Sequence, residues 1–477
     1  MSQLRIQHLL WRTGFGPATA DWSQWANLSE KACWQKIKSD SCAAPAYFDV
    51  ADNAIKGLLM GAGQAGQMQR ESLDNEEKKR VRKQSRDDLQ TLNIRWLDTM
   101  TDSKAQLREK MALFWHGHFA SRNINILYQQ QLLDITRQQA LGNFGELLRA
   151  ISKSAAMLAF LNNQQNKKEH PNENFAREVM ELFTLGRGNY TEQDVKEAAR
   201  AFTGWSFRLN GEFFFRRREH DYGSKTILGK TGNFEGEDVL DLLLAQPQTA
   251  RFITRKLYKF LVNEEKIPEA RINELADGFF KSGYDITQLL DTIVGSSWFY
   301  DAENTGAKIK SPIELWVGMR RAMPFEMGNP ENQVLLQKAL GQVLLFPPNV
   351  AGWPGGKTWI DSSSLMLRLR LPQMIAFQGD LDLHTKTDDD QQMGEMEGMR
   401  NRQKRFAAKT DWQPVLDRFK GIPEKELIPQ IARALWQTPV ATPPLAVLER
   451  HTDPSTRAKQ IETAFVQLMA TPEYQLC

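Results

Sequence analysis

"LREKMALFWHGHFA", residues 107–120, decides how the chain reads. Leu107, Met111, Phe114 and His118 recur at i, i+4, i+7 and i+11, the stripe of a helix that buries one face. Successive residues on a helix turn by about 100°, so His116 and His118 point about 200° apart. Helical geometry therefore splits what would otherwise be an HxH pair of metal ligands, unless the helix breaks at Gly117. His118 continues the apolar stripe inward, while His116 lies nearer the face of Ala112 and Leu113. A lone interior imidazole serves either as a ligand or as a hydrogen-bonded core residue, and both stay open here.

Outward from this stretch the same spacing predicts helices over 4–13, 20–38, 128–141, 143–161, 172–186, 191–203, 237–245, 248–263, 268–281, 285–298 and 311–323. Residues 66–103 are first highly charged, a solvated face, then amphipathic around Leu92, Ile94 and Trp96. Thr191 with Asp194 three residues on reads as an N-cap with an acidic first turn. One segment breaks the pattern. "WSFRLNGEFFFRRR", 205–218, places Asn210-Gly211 between aromatic runs and predicts a β-hairpin with a two-residue turn. The expected fold is mainly α, with one small β-hairpin insert near 205–218. Residues 1–378 form the main helical domain, 379–410 a flexible polar insert, and 411–477 C-terminal helices that pack back on it.

Composition narrows the function classes. The 477 residues carry 61 basic and 58 acidic side chains, a net +3 too even for a nucleic-acid binder. The three cysteines, Cys33, Cys42 and Cys477, form no CxxC pair, which argues against a cysteine zinc site or c-type haem. The N-terminus lacks the charged head and apolar run of a signal peptide, and no stretch approaches the ~20 apolar residues of a membrane span. The default reading is a soluble cytoplasmic protein.

Three further segments carry candidate chemistry. In "HPNENFAREVMELFTLG", 170–186, Phe175, Val179, Leu182 and Phe183 make the buried arc. Asn174, Glu178 and Glu181 lie opposite, where carboxylates at i and i+3 can converge on one cation, or simply face water. In "RRREHDYGSKTILGKTG", 216–232, His220-Asp221, Gly223 and Lys225 concentrate a base, a carboxylate, flexible backbone and a cation. In "PPNVAGWPGGKTWIDSSS", 347–364, Trp353 and Trp359 suit stacking on a sugar ring or closing a core, and Asp361 or Ser362 suits capping the next helix. The chain holds no GxxxxGK[ST], HExxH or GxSxG motif.

With these segments in hand, the chain resembles a large bacterial family catalogued as a domain of unknown function, number 1800 in its series. The resemblance runs from "HLLWRTGFGP" (8–17) through "EKMALFWHGHF" (109–119), the segments 170–205 and 220–244, "ARFITRKLYKFLV" (250–262), "KSPIELWVGMRRA" (310–322) and "PPNVAGWPGGKTWI" (347–360) to "MATPEYQL" (469–476). It implies one continuous domain. It also implies a sulfatase-like protein, encoded nearby, as a partner. Two functional expectations follow. In the first, a divalent metal (zinc, manganese or iron) is held by His118, Glu181 and His220. Glu178, Asp221, Lys225 and Arg177 then act catalytically, and Asn174, Trp353 and Trp359 hold an anionic or carbohydrate-type substrate of a hydrolase-like reaction. In the second, the same polar residues form buried networks that fix the fold of a non-catalytic scaffold or maturation partner.

Overall fold

In the computed structural model, which describes residues 2–60, 74–377, 407–438 and 448–477, helices begin where the sequence supplies a cap. Thr191 and Asp194 form a reciprocal capping box at the start of Glu192–Ala201, with N–H···O distances of 3.1 and 2.9 Å. Asp361 caps Ser362–Phe377 by accepting from the Ser364 N–H at 2.8 Å. Serines also divide helices that the periodicity runs together. Ser154 is extended (ψ 140°) and separates Phe144–Lys153 from Ala155–Phe160, its hydroxyl donating to Ile151 O and accepting from Met157 N. Ser29 likewise separates Trp22–Ala26 from Glu30–Asp40. Apolar period alone cannot see such breaks, because both halves bury the same face.

The architecture is mainly helical, and the described residues add three small two-stranded antiparallel sheets. The expected hairpin pairs Trp205–Phe207 with Phe213–Phe215. Its turn differs from expectation. Gly211 N–H bonds to Arg208 O (2.9 Å) and Arg208 N–H to Glu212 O (2.8 Å), enclosing the three residues 209–211. Only Gly211 of the Asn-Gly pair has positive φ, at 88°, the arrangement of a type I turn followed by a left-handed glycine. A second hairpin, Lys225–Ile227 with Lys230–Gly232, lies in the segment read as a loop, and turns through Leu228 (φ 50°) and Gly229 (φ 77°). A third sheet pairs Phe325–Met327 with Ala408–Thr410. The last residues of the expected polar insert are therefore a strand, while 379–406 lies outside the described residues.

One hydrophobic cluster runs from Ile6 to Tyr474, with Trp96, Trp115, Trp316 and Trp436 fully covered. Chain-distant segments meet in it. Gln7 bonds to Ala434 O and Gln437, and Lys308 and Lys310 pair by backbone with Cys477 and Gln475. Among the described residues no helix is long and apolar enough to cross a membrane.

Candidate functional site

The "FWHGHFA" helix, Gln106–His118, buries both histidines. His116 packs edge-on against Trp96, and its Nε2 accepts from the Leu345 N–H at 3.1 Å. That bond holds Leu345 at φ 69°, outside the usual range for a leucine. Burial alone pulls the His116 imidazole down to about 4. Gly352, at φ 79°, lies with its backbone directly on Gly117 O, so a Cβ there would collide with that carbonyl. This close approach sets Trp353 against His116, ring centroids 5.5 Å apart.

His118 faces another way, as helical geometry requires. It reaches the end of the second motif segment, which is not a continuous α-helix. Asn174–Glu178 is α-helical, and Val179–Thr184 is a π-turn in which Leu185 N–H bonds back five residues to Met180 O at 2.9 Å. A helix end leaves carbonyls without backbone donors. Here side chains supply them. Lys256 Nζ donates to Leu182 O (3.2 Å), His118 Nε2 to Phe183 O (3.2 Å), and Gln248 Nε2 and Asn189 Nδ2 both to Leu185 O (3.1 Å). The second His118 nitrogen, Nδ1, accepts from Lys256 Nζ at 3.1 Å. These partners assign the His118 proton to Nε2 and leave neither nitrogen with a free lone pair. Burial and then Lys256 keep the ring neutral, well below the usual histidine range. Lys256 rides over the Phe252 ring, and burial followed by Lys259 brings its ammonium down to about 8.

The two glutamates of this segment have different fates. Glu181 accepts from the Tyr190 hydroxyl at 2.5 Å. Glu178 is half-buried and makes no hydrogen bond or ion pair among the described residues; burial and then the neighbouring Glu181 charge raise its carboxyl pKa. Arg177 is occupied by Glu192 (2.8 and 2.7 Å) and Glu173 (3.0 Å), tying the segment to the first turn of the next helix. Asn174 turns back to donate to Leu161 O at 3.2 Å.

The His220–Asp221 loop is closed on itself. Buried His220 engages Thr203 through Nδ1, 2.9 Å from the carbonyl and 3.2 Å from the hydroxyl. Arg200 grips Asp221 with Nε at 2.7 Å and, with the Gly223 N–H, holds its carboxyl below the usual range. Lys225, 1% exposed, donates to the carbonyls of Asp221 (2.5 Å) and Gly223 (3.0 Å). Trp359 is buried. His118, Glu181 and His220 do not gather as a ligand set. Among the described residues no group of three or more His, Cys, Asp or Glu side chains is placed to hold a metal ion. The imidazoles are spent on backbone carbonyls at two different helix and loop ends.

Sequence reasoning missed Lys256 and a buried ionic cluster around Glu314. Glu314 lies in the first turn of Pro312–Ala322, in a capping box with Ser311. Its carboxylate takes the ammonium groups of Lys110 and Lys308 (the latter at 2.8 Å) and the Ser311 N–H at 2.8 Å. Burial alone would raise this carboxyl; the two lysines hold it well below the usual carboxylate range. Lys310 Nζ sits between the rings of Trp11 (3.8 Å) and Tyr474 (3.7 Å), donates to Tyr474 O at 2.6 Å, and is drawn by burial to about 7. The available signal was a charge set in an apolar frame, as in "EKMALFW" and "PIELWV".

The chain was compared with known proteins. The family model described as "Protein of unknown function (DUF1800)" matches residues 8–476, so the chain belongs to that family. No curated protein and no solved structure matches it.

Proposed function

With membership of a family of unknown function as the premise, we propose that the chain is a non-catalytic helical scaffold. It would hold or mature another protein, of the sulfatase-like kind that the resemblance suggests. The observation that supports this reading is the use of His118: both nitrogens close a helix end, and Lys256, Arg177, Asp221 and Lys225 are likewise committed to carbonyls or ion pairs of the fold. Polar networks satisfied in this way rigidify a core and specify one packing. Co-expression with a sulfatase-like protein of the kind that the resemblance implies tests it. The expected result is a complex that co-elutes in size exclusion and raises the partner's soluble yield. Separate elution, with a yield unaffected by the chain, would refute it.

One observation favours the hydrolase-like alternative. Glu178 is a half-buried carboxyl with a raised pKa and no polar partner, the state from which a general acid acts. On that reading Glu178→Gln abolishes hydrolysis of a sulfate or phosphate monoester while the melting temperature stays within about 2 °C. On the scaffold reading no turnover is seen before or after the change.

A further inference from the structure

The Glu314 cluster buries two guanidinium groups whose donors its own acceptors do not all meet. Arg12, Lys110, Lys308, Lys310 and Arg368 are each at most 3% exposed, and the groups that favour their charge are a fully buried Glu314, a half-buried Glu264, Cys477 and, for Arg368, Asp361. They form one continuous group. Lys110 donates to Trp11 O, Trp11 underlies Lys310, and Lys110 and Lys308 share the Phe260 ring. Both arginines lie within electrostatic reach of Glu314. Yet, among the described residues, each guanidinium is only partly used. Arg12 bonds through Nη2 to Asn304 O (2.6 Å), and its Nε and Nη1 have no acceptor. Arg368 bonds through Nη1 to Lys310 O (3.0 Å), and its Nε and Nη2 have none. The buried Tyr474 hydroxyl is also without a partner. A guanidinium taken out of water normally satisfies its donors, and an unpaired buried charge is costly. Nε with one Nη is the edge that carboxylate, phosphate and sulfate oxygens engage in pairs.

We infer that the open edges of Arg12 and Arg368, beside the Lys110–Glu314–Lys308 group, bind a small oxyanion of the phosphate or sulfate class. The ligand supplies the missing acceptors. The Gly355-Gly356 turn lies against Glu264, a carboxylate that Arg12 feels. The site is independent of the scaffold reading, because it asks nothing of a partner protein.

Equilibrium dialysis of the purified full chain against inorganic phosphate, with sulfate as competitor and chloride at matched ionic strength as control, tests the site. Saturable phosphate binding near one equivalent is expected, displaced by sulfate and not by chloride, with a melting temperature raised by at least about 2 °C. A phosphate or sulfate monoester is run in parallel. Tighter binding of the inorganic ion points to a free anion, and tighter binding of the monoester to the anionic end of a larger molecule; either supports the site. Arg12→Met or Arg368→Met should abolish binding. Should both variants unfold, Arg12→Lys and Arg368→Lys keep the charge, lose the paired edge and should weaken binding about tenfold. No saturable binding by the wild-type chain, or undiminished binding in all arginine variants, overturns the inference.

Discussion

A buried imidazole that donates from one nitrogen and accepts at the other is a connector between two pieces of chain. His118 connects the Phe183 carbonyl to Lys256. His118→Ala removes the ring, orphans the Phe183 carbonyl and leaves Lys256 with Leu182 O alone, and should cost about 3 kcal/mol in urea denaturation; a loss below ~1 kcal/mol would show that the contacts carry no weight. Glu314 is more exacting. Its carboxylate is in direct contact with both Lys110 and Lys308 inside the core, so Glu314→Gln leaves two buried ammonium groups without their ion-pair partner and should destabilise by about 3–5 kcal/mol by the same measurement. Glu178, without a hydrogen bond or ion pair among the described residues, should tolerate Glu178→Gln with little change in stability.

At the scale of elements, the period of apolar residues made the helices and their buried faces legible, and Asn-Gly flagged the hairpin. Period could not show that Ser29 and Ser154 interrupt helices, because a hydroxyl cap leaves the apolar spacing intact on both sides. Nor could it show the π-turn at Val179–Thr184, since the pattern assumes one rotation per residue throughout. The candidate site was legible as a set of segments and illegible as a geometry. His118 was rightly read as interior. Its partners are a backbone carbonyl and a lysine, and main-chain acceptors leave no mark in a sequence. Gly352 shows the reverse case, a residue whose need is visible only in the contact. Gly352→Ala places a methyl group against Gly117 O at a positive φ. It should lower the melting temperature by several degrees and release Trp353 from His116, seen as a red shift of tryptophan emission. An unchanged melting curve would contradict that packing.

Across the whole molecule, His8, His116 and His118 are all buried and held below their ordinary pKa chiefly by burial, with a positive neighbour adding to it for His8 and His118. A base depressed in the folded state takes up its proton more readily when unfolded. Stability from these groups is therefore complete above pH ~6.5 and falls as the pH drops below it. For His116 the window runs from ~6.5 down to about 4 and is worth about 3 kcal/mol in all. Urea midpoints measured from pH 8 to 5 should be flat above 7 and decline below 6.5, with a shallower decline in His116→Gln; a profile flat to pH 5 would contradict the buried, neutral histidines. Each of these rings bonds to a chain-distant segment, His8 to Phe299 O, His116 to the Leu345 N–H and His118 to Phe183 O, so the histidines lock segments to one another and do not gather around a metal. Histidine ¹⁵N spectra of the full chain during a zinc titration test this claim most directly. The account predicts a His118 with protonated Nε2 and an accepting Nδ1, unmoved by stoichiometric zinc. A zinc-induced shift of the His118 nitrogens, accompanied by those of His220, would contradict it.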